Sequence, residues 1–147
     1  MRATWWSAVL ASVCVVPAAA VEPADVHGLW LTAQADAVIA FGPCEDRVQA
    51  LCAQVVWDKD AGTPKDTCGV KVARLERFAS DAWRDGWALD PRDGKKYKAT
   101  VRIQEGALLL RAFVGVEVLG QTERLSRIAK LPEQPVCQPV QRTGAAS

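Results

Sequence analysis

The side chains with the most distinctive chemistry in this sequence are its cysteines and its single histidine. Five cysteines occur in the 147 residues, and Cys14 lies in an apolar stretch near the amino terminus. The remaining four are even in number and are the candidates for disulfide bonds: Cys44, Cys52, Cys68 and Cys137. No two of them form a Cys-x-x-Cys pair and His27 is the only histidine, so the sequence favours disulfides over a zinc site.

Four cysteines allow three pairings, and spacing alone does not choose among them. We favour Cys44 with Cys52, because they would lie on the two arms of a candidate hairpin, where cross-strand Cβ atoms come close together. Cys68 would then pair with Cys137 and fasten the proline-rich segment 131–139, which otherwise has little to hold it. Structural disulfides persist mainly in oxidising compartments, so this pairing depends on export from the cytoplasm.

Catalytic chemistry finds little support in the sequence. His27 could serve as a general base, but no motif places a serine or a free cysteine with it. Asp58, Asp60 and Asp66 share one polar loop, where a loose calcium site is conceivable, although the EF-hand spacing is absent. A glycine-rich phosphate loop is absent as well. We therefore predict no enzymatic activity, no metal and no cofactor, and a hydrolase is the least favoured function.

Aromatic and arginine side chains offer a binding site instead. Three indoles and one phenol could line a pocket for a flat or apolar ligand: Trp57, Trp83, Trp87 and Tyr97. Arg111 and Arg127 lie on neighbouring predicted strands, and either would provide a polar anchor if its side chain points inward. The alternative is that the aromatic residues form core or cross-strand pairs and that the arginines are solvated. Trp30 is interpreted as a plug across one end of the fold rather than as a ligand contact.

The first twenty residues have the pattern of an export signal. Arg2 gives a positive start, residues 5–16 are apolar, and Pro17 is followed by three alanines that suit a signal peptidase. The apolar run is shorter than the roughly 20 residues of a membrane span, so no permanent membrane anchor is expected. A net charge of +1 lacks the basic excess of a nucleic-acid-binding protein. We expect a periplasmic or secreted protein whose oligomeric state the sequence does not determine.

The rest of the chain has the pattern of short β-strands. Tyr97, Ala99, Val101 and Ile103 alternate with polar residues, which places the apolar set on one face of a strand. Asp90, Pro91 and Gly94 are typical of a tight turn before it. The residues Leu75 to Phe78 could instead form one helical turn. About eight strands are predicted, at residues 27–32, 35–41, 50–57, 70–78, 83–89, 96–103, 107–114 and 122–129.

Short strands without intervening amphipathic helices indicate an antiparallel meander. Closing it into a barrel removes the exposed sheet edges, so the predicted fold is an all-β, antiparallel, up-and-down barrel. The interior of an eight-stranded barrel is either filled by side chains or just wide enough for one small ligand. We assign residues 1–20 to the export signal, 21–131 to the barrel and 132–147 to a proline-rich tail.

The order of several motifs resembles the domain of unknown function 2147 family, over about residues 27–128. The motifs that carry this resemblance are Gly28-Leu29-Trp30, Cys44, Leu51-Cys52, Trp57, Cys68-Gly69, Trp83-Arg84-Asp85-Gly86, Asp90-Pro91, Gly94-Lys95, Tyr97 and Arg127. The resemblance implies an exported bacterial protein with a small lipocalin-like barrel, and it implies no particular activity. Leu125 stands where a tryptophan would be expected, which marks the chain as a divergent member.

Two functions from different classes follow. The first is an exported binding module that holds a small, mostly apolar ligand in the mouth of the barrel. The second is a structural or protein-interaction module of the cell envelope, with a filled barrel and partner contacts on loops such as residues 58–67. An open cavity of some hundreds of cubic ångströms would distinguish the first from the second.

Overall fold

The computed structural model describes residues 11–138. Residues 1–10 of the predicted export signal and residues 139–147 of the predicted tail lie outside the described residues. The described chain forms eight antiparallel strands: β1 (Gly28–Leu31), β2 (Ala37–Pro43), β3 (Leu51–Asp58), β4 (Lys71–Ala79), β5 (Ala82–Leu89), β6 (Lys96–Gln104), β7 (Ala107–Phe113) and β8 (Gln121–Ile128). Within residues 11–138 no helix is both long and apolar enough to cross a membrane.

The sheet closes on itself. Each strand pairs with the next along the chain, and β8 pairs with β1 through Leu29 opposite Ile128 and Trp30 opposite Arg127. The predicted all-β, antiparallel, up-and-down barrel of eight strands is therefore confirmed. The segment with a possible helical turn is part of the single strand β4. The strand predicted to begin at residue 35 begins at Ala37, because Ala35 has a φ of 54° in the preceding turn.

Large apolar side chains fill one half of the barrel. The largest fully buried side chains are Trp30, Leu51, Leu75, Leu108 and Leu125. Burying one such side chain contributes roughly 1.5 to 3 kcal/mol, so this half of the interior is the main source of hydrophobic stability. Leu125 is 0% exposed, which shows that leucine fills the position at which a tryptophan was expected.

A short 3₁₀ helix, Pro23–Val26, closes the barrel at this half. The Trp30 indole Nε1 donates a hydrogen bond to the Val26 carbonyl at 2.8 Å, and Trp83 Nε1 donates to the Pro23 carbonyl at 3.1 Å. The guanidinium of Arg127 lies 4.2 Å from the centre of the Trp30 ring and donates to the His27 carbonyl at 2.9 Å. We call this end of the barrel the closed end.

Gly28 is required where β1 enters the closed end. Its φ is +127°, a conformation that side-chain-bearing residues rarely adopt. A Cβ atom at this position would also lie 2.8 Å from Nη1 of Arg127. Glycine therefore allows the arginine to reach across the strand and cover the Trp30 ring.

The structure contains two disulfides, one near each end of the barrel. Cys44 is bonded to Cys52 across the β2–β3 turn, with a Cα–Cα distance of 4.9 Å. Cys68 is bonded to Cys137, with a Cα–Cα distance of 5.5 Å. These are the two pairs favoured from the sequence. The remaining cysteine of the described chain, Cys14, is exposed and unbonded.

The second disulfide holds the segment that follows β8. This strand ends at the closed end, where Ile128 pairs with Leu29, whereas Cys68 precedes β4 at the opposite end. Residues 129–137 must therefore run back along the length of the barrel. Most of their side chains are exposed, so the segment lies on the outer wall. We call residues 129–138 the tail strap.

Candidate functional site

The opposite end of the barrel is open and leads into a cavity of about 1400 Å³. Four connections surround its mouth, at residues 32–36, 59–70, 90–95 and 114–120. The volume exceeds the roughly 300 to 1,000 Å³ of typical small-molecule pockets. We call this end the open end and the space within it the lumen cavity.

Small and medium-sized apolar side chains line the deeper part of the lumen cavity. They are Ala37, Ile39, Val55, Val72, Ala88, Leu110 and Ala112. Side chains at alternate positions of a strand share a face, so the same inward rows continue below into larger residues such as Phe41 and Leu108. The cavity therefore exists because the inward residues become smaller towards the open end.

Charged residues form the rim of the lumen cavity. Asp36, in the β1–β2 turn, accepts a hydrogen bond from the Thr32 hydroxyl at 2.6 Å and forms an ion pair with Arg92 from the β5–β6 turn. Asp90 stabilises that second turn, since its carboxylate accepts the Arg92 amide at 2.9 Å and its carbonyl accepts the Gly94 amide at 2.8 Å. The Asp36–Arg92 pair thus joins two separate turns across the mouth.

Asp58 anchors the long β3–β4 loop at the rim. It is 5% exposed, and its carboxylate accepts the amides of Asp60 and Thr67, each at 2.8 Å, together with the Thr67 hydroxyl. Burial by itself would raise the pKa of Asp58, but these hydrogen bonds outweigh it and the pKa lies below its usual value. Asp58 is therefore ionised at neutral pH and holds the loop in place.

Glu123 is an acidic side chain that lines the lumen cavity from within the barrel wall. It lies on β8 opposite Leu110, and both residues line the cavity. No ion pair within residues 11–138 involves Glu123. Burial raises the pKa of its carboxyl, the negative charges of Asp36 and Asp90 raise it further, and Arg92 partly opposes them. Among the acidic residues that line the lumen cavity, Glu123 is thus the one whose carboxylate has neither an ion pair nor a hydrogen bond within residues 11–138.

Of the six predicted ligand-binding residues, Tyr97 lines the lumen cavity. Trp83 points inward but lies at the closed end, where it packs edge-to-face against Phe78 with ring centres 5.7 Å apart. Its indole donor is already used by the Pro23 carbonyl. The structure therefore corrects the prediction for Trp83, which belongs to the core beneath the cavity.

Trp57 and Trp87 lie on the outer wall, contrary to the predicted pocket. Trp57 pairs with Val38, whose neighbour Ile39 faces the cavity, so Val38 and Trp57 face the other way. Trp87 carries the ammonium group of Lys96 over its ring at 4.2 Å. In both strands a β-bulge lies beside the tryptophan, and such a shift of one residue moves a side chain to the opposite face.

The two predicted arginine anchors have structural partners elsewhere. Arg111 lies on the outer wall and donates to the carbonyls of Glu117 and Val118 at 2.7 and 2.9 Å, holding the β7–β8 connection. Arg127 covers the closed end, where it donates to the carbonyls of Asp25 and His27. Neither lines the lumen cavity, so the prediction of an anion anchor from these residues is corrected.

The residues considered for catalysis and metal binding lie apart from one another or are used within their own loop. His27 lies directly before β1 at the closed end, at the far side of the barrel from the lumen cavity. Asp58 and Asp66 use their carboxylates on backbone amides of their own loop. Within residues 11–138 no group of three or more histidine, cysteine, aspartate or glutamate side chains is arranged to hold a metal ion.

Sequence reasoning missed Glu123 and the Asp36–Arg92 pair. A signal for Glu123 was present, because it lies two residues before Leu125, and alternate residues of a strand share a face. A glutamate in phase with a buried leucine indicates a charge directed into the barrel. Asp36 and Arg92 are 56 residues apart, and nothing local in the sequence predicts that they meet.

Comparison with known proteins agrees with this architecture. One solved structure, described as "Protein HP1028 from the human pathogen Helicobacter pylori belongs to the lipocalin family", is 17% identical, with a TM-score of 0.53. The match covers 74% of this chain and 84% of that one, and at this identity it shows the fold alone. No curated protein matches significantly.

The family described as "Uncharacterized protein conserved in bacteria (DUF2147)" matches residues 28–127. The match spans more than half of the sequence, so this chain belongs to the DUF2147 family of bacterial proteins.

Proposed function

We propose that this protein is exported and binds a small, mostly apolar ligand in the lumen cavity. The observation that carries the proposal is the cavity itself, which has about 1400 Å³ of space above a packed and plugged closed end. Ile39, Val55 and Leu110 offer an apolar surface for the ligand body, and Tyr97 adds an aromatic one. Burying an apolar ligand against such walls contributes about 25 cal/mol per Å².

Two features support a location outside the cytoplasm. Residues 1–20 have the composition of a cleaved export signal. The disulfides Cys44–Cys52 and Cys68–Cys137 require an oxidising compartment to persist. A periplasmic or secreted binding module accounts for both features together.

The alternative of an envelope module with a filled barrel fits the observed interior less well. A filled barrel would place large side chains at Ala37, Ala88 and Ala112, where this chain has methyl groups facing the lumen cavity. An open barrel of this size is typical of proteins that hold a ligand. We therefore prefer ligand binding to a purely structural role.

The test is a fluorescence titration of the full protein, produced with its disulfides intact, with the uncharged apolar dye Nile red. We expect a saturable rise in dye emission with one site per chain. Ala112→Trp should lower the dye affinity by at least about tenfold, because the indole occupies volume that the ligand needs. Unchanged circular dichroism would show that the barrel still forms.

Ala40→Trp is the matched control. Ala40 lies between the inward residues Ile39 and Phe41 of β2, so its side chain faces outward. The same indole placed there should leave dye affinity unchanged. Absence of saturable binding to the unmodified protein, or equal affinities for all three proteins, would contradict the proposal.

A further inference from the structure

We propose that the ligand of the lumen cavity carries a cationic group of the ammonium type on an apolar body, and that the Glu123 carboxylate is its counter-ion. This inference rests on the proposed function, since it names the chemical class of the ligand for the same cavity. Three observations carry it: the position of Glu123, the use of the neighbouring positive charges, and the charge balance of the rim.

Glu123 is placed between the apolar part of the cavity and its charged rim. Leu110 lies directly opposite on β7, and Leu125, two residues further along β8, is fully buried. A ligand that fills the deeper cavity would therefore bring its upper end to the height of this carboxylate. A cationic group at that end would meet Glu123, while the apolar remainder would contact Ile39, Val55 and Leu110.

None of the basic side chains that line the lumen cavity forms an ion pair with Glu123 within residues 11–138. Arg92 is paired with Asp36, and Lys59 is paired with Asp60 at 2.8 Å. Lys65 and Arg124 also line the cavity and form no ion pair within residues 11–138, and Arg124, as the next residue of β8, leaves the opposite face of the strand from Glu123. A cationic ligand would therefore be the first ion-pair partner of this carboxylate.

The overall charge around the cavity also favours a cation. Six acidic residues line the cavity, Asp36, Asp58, Asp60, Asp66, Asp90 and Glu123, against four basic residues, Lys59, Lys65, Arg92 and Arg124. A cleft lined by an excess of one sign of charge attracts ligands of the opposite sign. An anionic ligand would instead face Glu123 inside the cavity and Asp36 and Asp90 at its rim.

Desolvation makes the pairing more favourable still. Burial of an acidic group without a partner disfavours its charged form, which accords with the raised pKa of Glu123 in the free protein. A cationic ligand would supply the missing partner and offset that cost. A ligand ammonium that has an N–H would in addition donate a charge-assisted hydrogen bond, which is roughly twice as strong as a neutral one.

The test compares three probes that share a ten-carbon chain and differ in head group: decyltrimethylammonium, decanol and decanoate. Each displaces Nile red from the full protein, below the critical micelle concentration. We expect decyltrimethylammonium to bind at least about tenfold more tightly than decanol, and decanoate to bind more weakly than decanol. The quaternary ammonium keeps its charge at every pH, so its own titration does not enter the comparison.

Glu123→Gln keeps the shape of the side chain and removes its charge. In this variant the preference for decyltrimethylammonium over decanol should fall by about tenfold, while decanol affinity stays unchanged. Glu105→Gln is the matched control, because Glu105 lies in the β6–β7 turn at the closed end, far from the cavity mouth. That variant should retain the full preference.

The outcomes separate this inference from the proposed function. If none of the probes displaces the dye and the dye itself does not bind, the proposed function fails. If decanol binds but decyltrimethylammonium binds no more tightly, or if both Gln variants behave alike, only the cationic assignment fails. A preference for decanoate that Glu123→Gln abolishes would show that a protonated Glu123 binds an anion, and would overturn it.

Discussion

The two ends of this barrel are built from the same eight strands and differ in how their polar groups are satisfied. At the closed end, the indole donors of Trp30 and Trp83 and the guanidinium of Arg127 all reach backbone carbonyls of residues 23–27. At the open end, Glu123 faces a cavity without a counter-ion. These polar groups of the closed end are paired within the chain, whereas the open end presents an unpaired carboxylate to a ligand.

Side-chain size follows the same division. Inward residues towards the closed end are large, such as Trp30 and Leu75, whereas those towards the open end include Ala88 and Ala112. A filled half provides the hydrophobic stability that an open half cannot, since apolar burial is the dominant favourable term in folding. The barrel thus separates the residues that hold it together from those available for binding.

The largest effect should come from removing the plug of the closed end. Trp30→Ala deletes a fully buried indole, removes the hydrogen-bond donor of the Val26 carbonyl and removes the ring that the Arg127 guanidinium covers. We expect the free energy of unfolding to fall by roughly 3 to 5 kcal/mol, as for other buried aromatic side chains. Urea denaturation followed by circular dichroism measures this change.

Trp87→Ala is the control for that loss, because it makes the same substitution on the outer wall. The Trp87 ring contributes a contact with Lys96, for which about 0.5 to 1 kcal/mol is expected at an exposed site. Equal losses for the two variants would show that the closed end is not the main source of stability. The comparison between the ends would then be wrong.

The disulfides provide a second comparison between the ends. By chain entropy alone, the Cys68–Cys137 bridge, with a separation of 69 residues, should stabilise the fold by roughly 4 kcal/mol. The Cys44–Cys52 bridge, with a separation of 8, should contribute roughly 2.5 kcal/mol. From the structure we expect the opposite order, because Cys44 is 1% exposed within the β2–β3 turn, whereas Cys137 lies on the exposed tail strap. The strap can detach while the barrel stays folded.

We therefore expect Cys44→Ser with Cys52→Ser to lower the free energy of unfolding by roughly 2 to 3 kcal/mol. Cys68→Ser with Cys137→Ser should lower it by less, and should increase cleavage within residues 129–138 by added protease. Urea denaturation and limited proteolysis measure the two effects. A larger loss for the second pair would mean that the tail strap is part of the cooperative fold.

Much of the architecture could be predicted from local patterns. The alternation in 96–103 predicted β6, and Ala99 and Val101 are buried as that pattern requires. The placement of the tryptophans could not be predicted, because it depends on two bulges. Trp83 and Trp87 would share a face of a regular strand, but Asp85 has a φ of 60° and the register shifts between residues 83 and 86. One indole therefore points inward and the other outward.

The candidate site was harder to predict for a different reason. The residues that define the candidate site belong to no recognisable sequence motif: Asp36, Arg92, Ala112 and Glu123. Ala112 matters because it is small, and Glu123 matters because it has no partner. Both properties depend on what stands opposite in the closed barrel, which requires the register of all eight strands.

The smallest expected effect concerns the stability of the ligand-free protein. Glu123 has a folded-state pKa above its ordinary value, through burial and through Asp36 and Asp90, with Arg92 opposing. A carboxyl of this kind contributes stability at a pH below its unfolded pKa, and that contribution is lost as pH rises through the folded pKa. Glu123→Gln cannot ionise, so it should be more stable than the unmodified protein at pH 8. The gain should be below about 1 kcal/mol, because Glu123 is partly exposed and solvent screens its charge.

The pH dependence identifies the cause of this gain. The difference between the two proteins should disappear near pH 3, well below the ordinary pKa of a glutamate, where Glu123 is protonated in both the folded and the unfolded chain. Other titrating groups, such as Asp58, are present in both proteins and cancel in the comparison. Urea denaturation at several pH values measures the difference. A loss of stability in Glu123→Gln at pH 8 would mean that Glu123 has a stabilising partner within the chain, and the open end would then be as complete as the closed one.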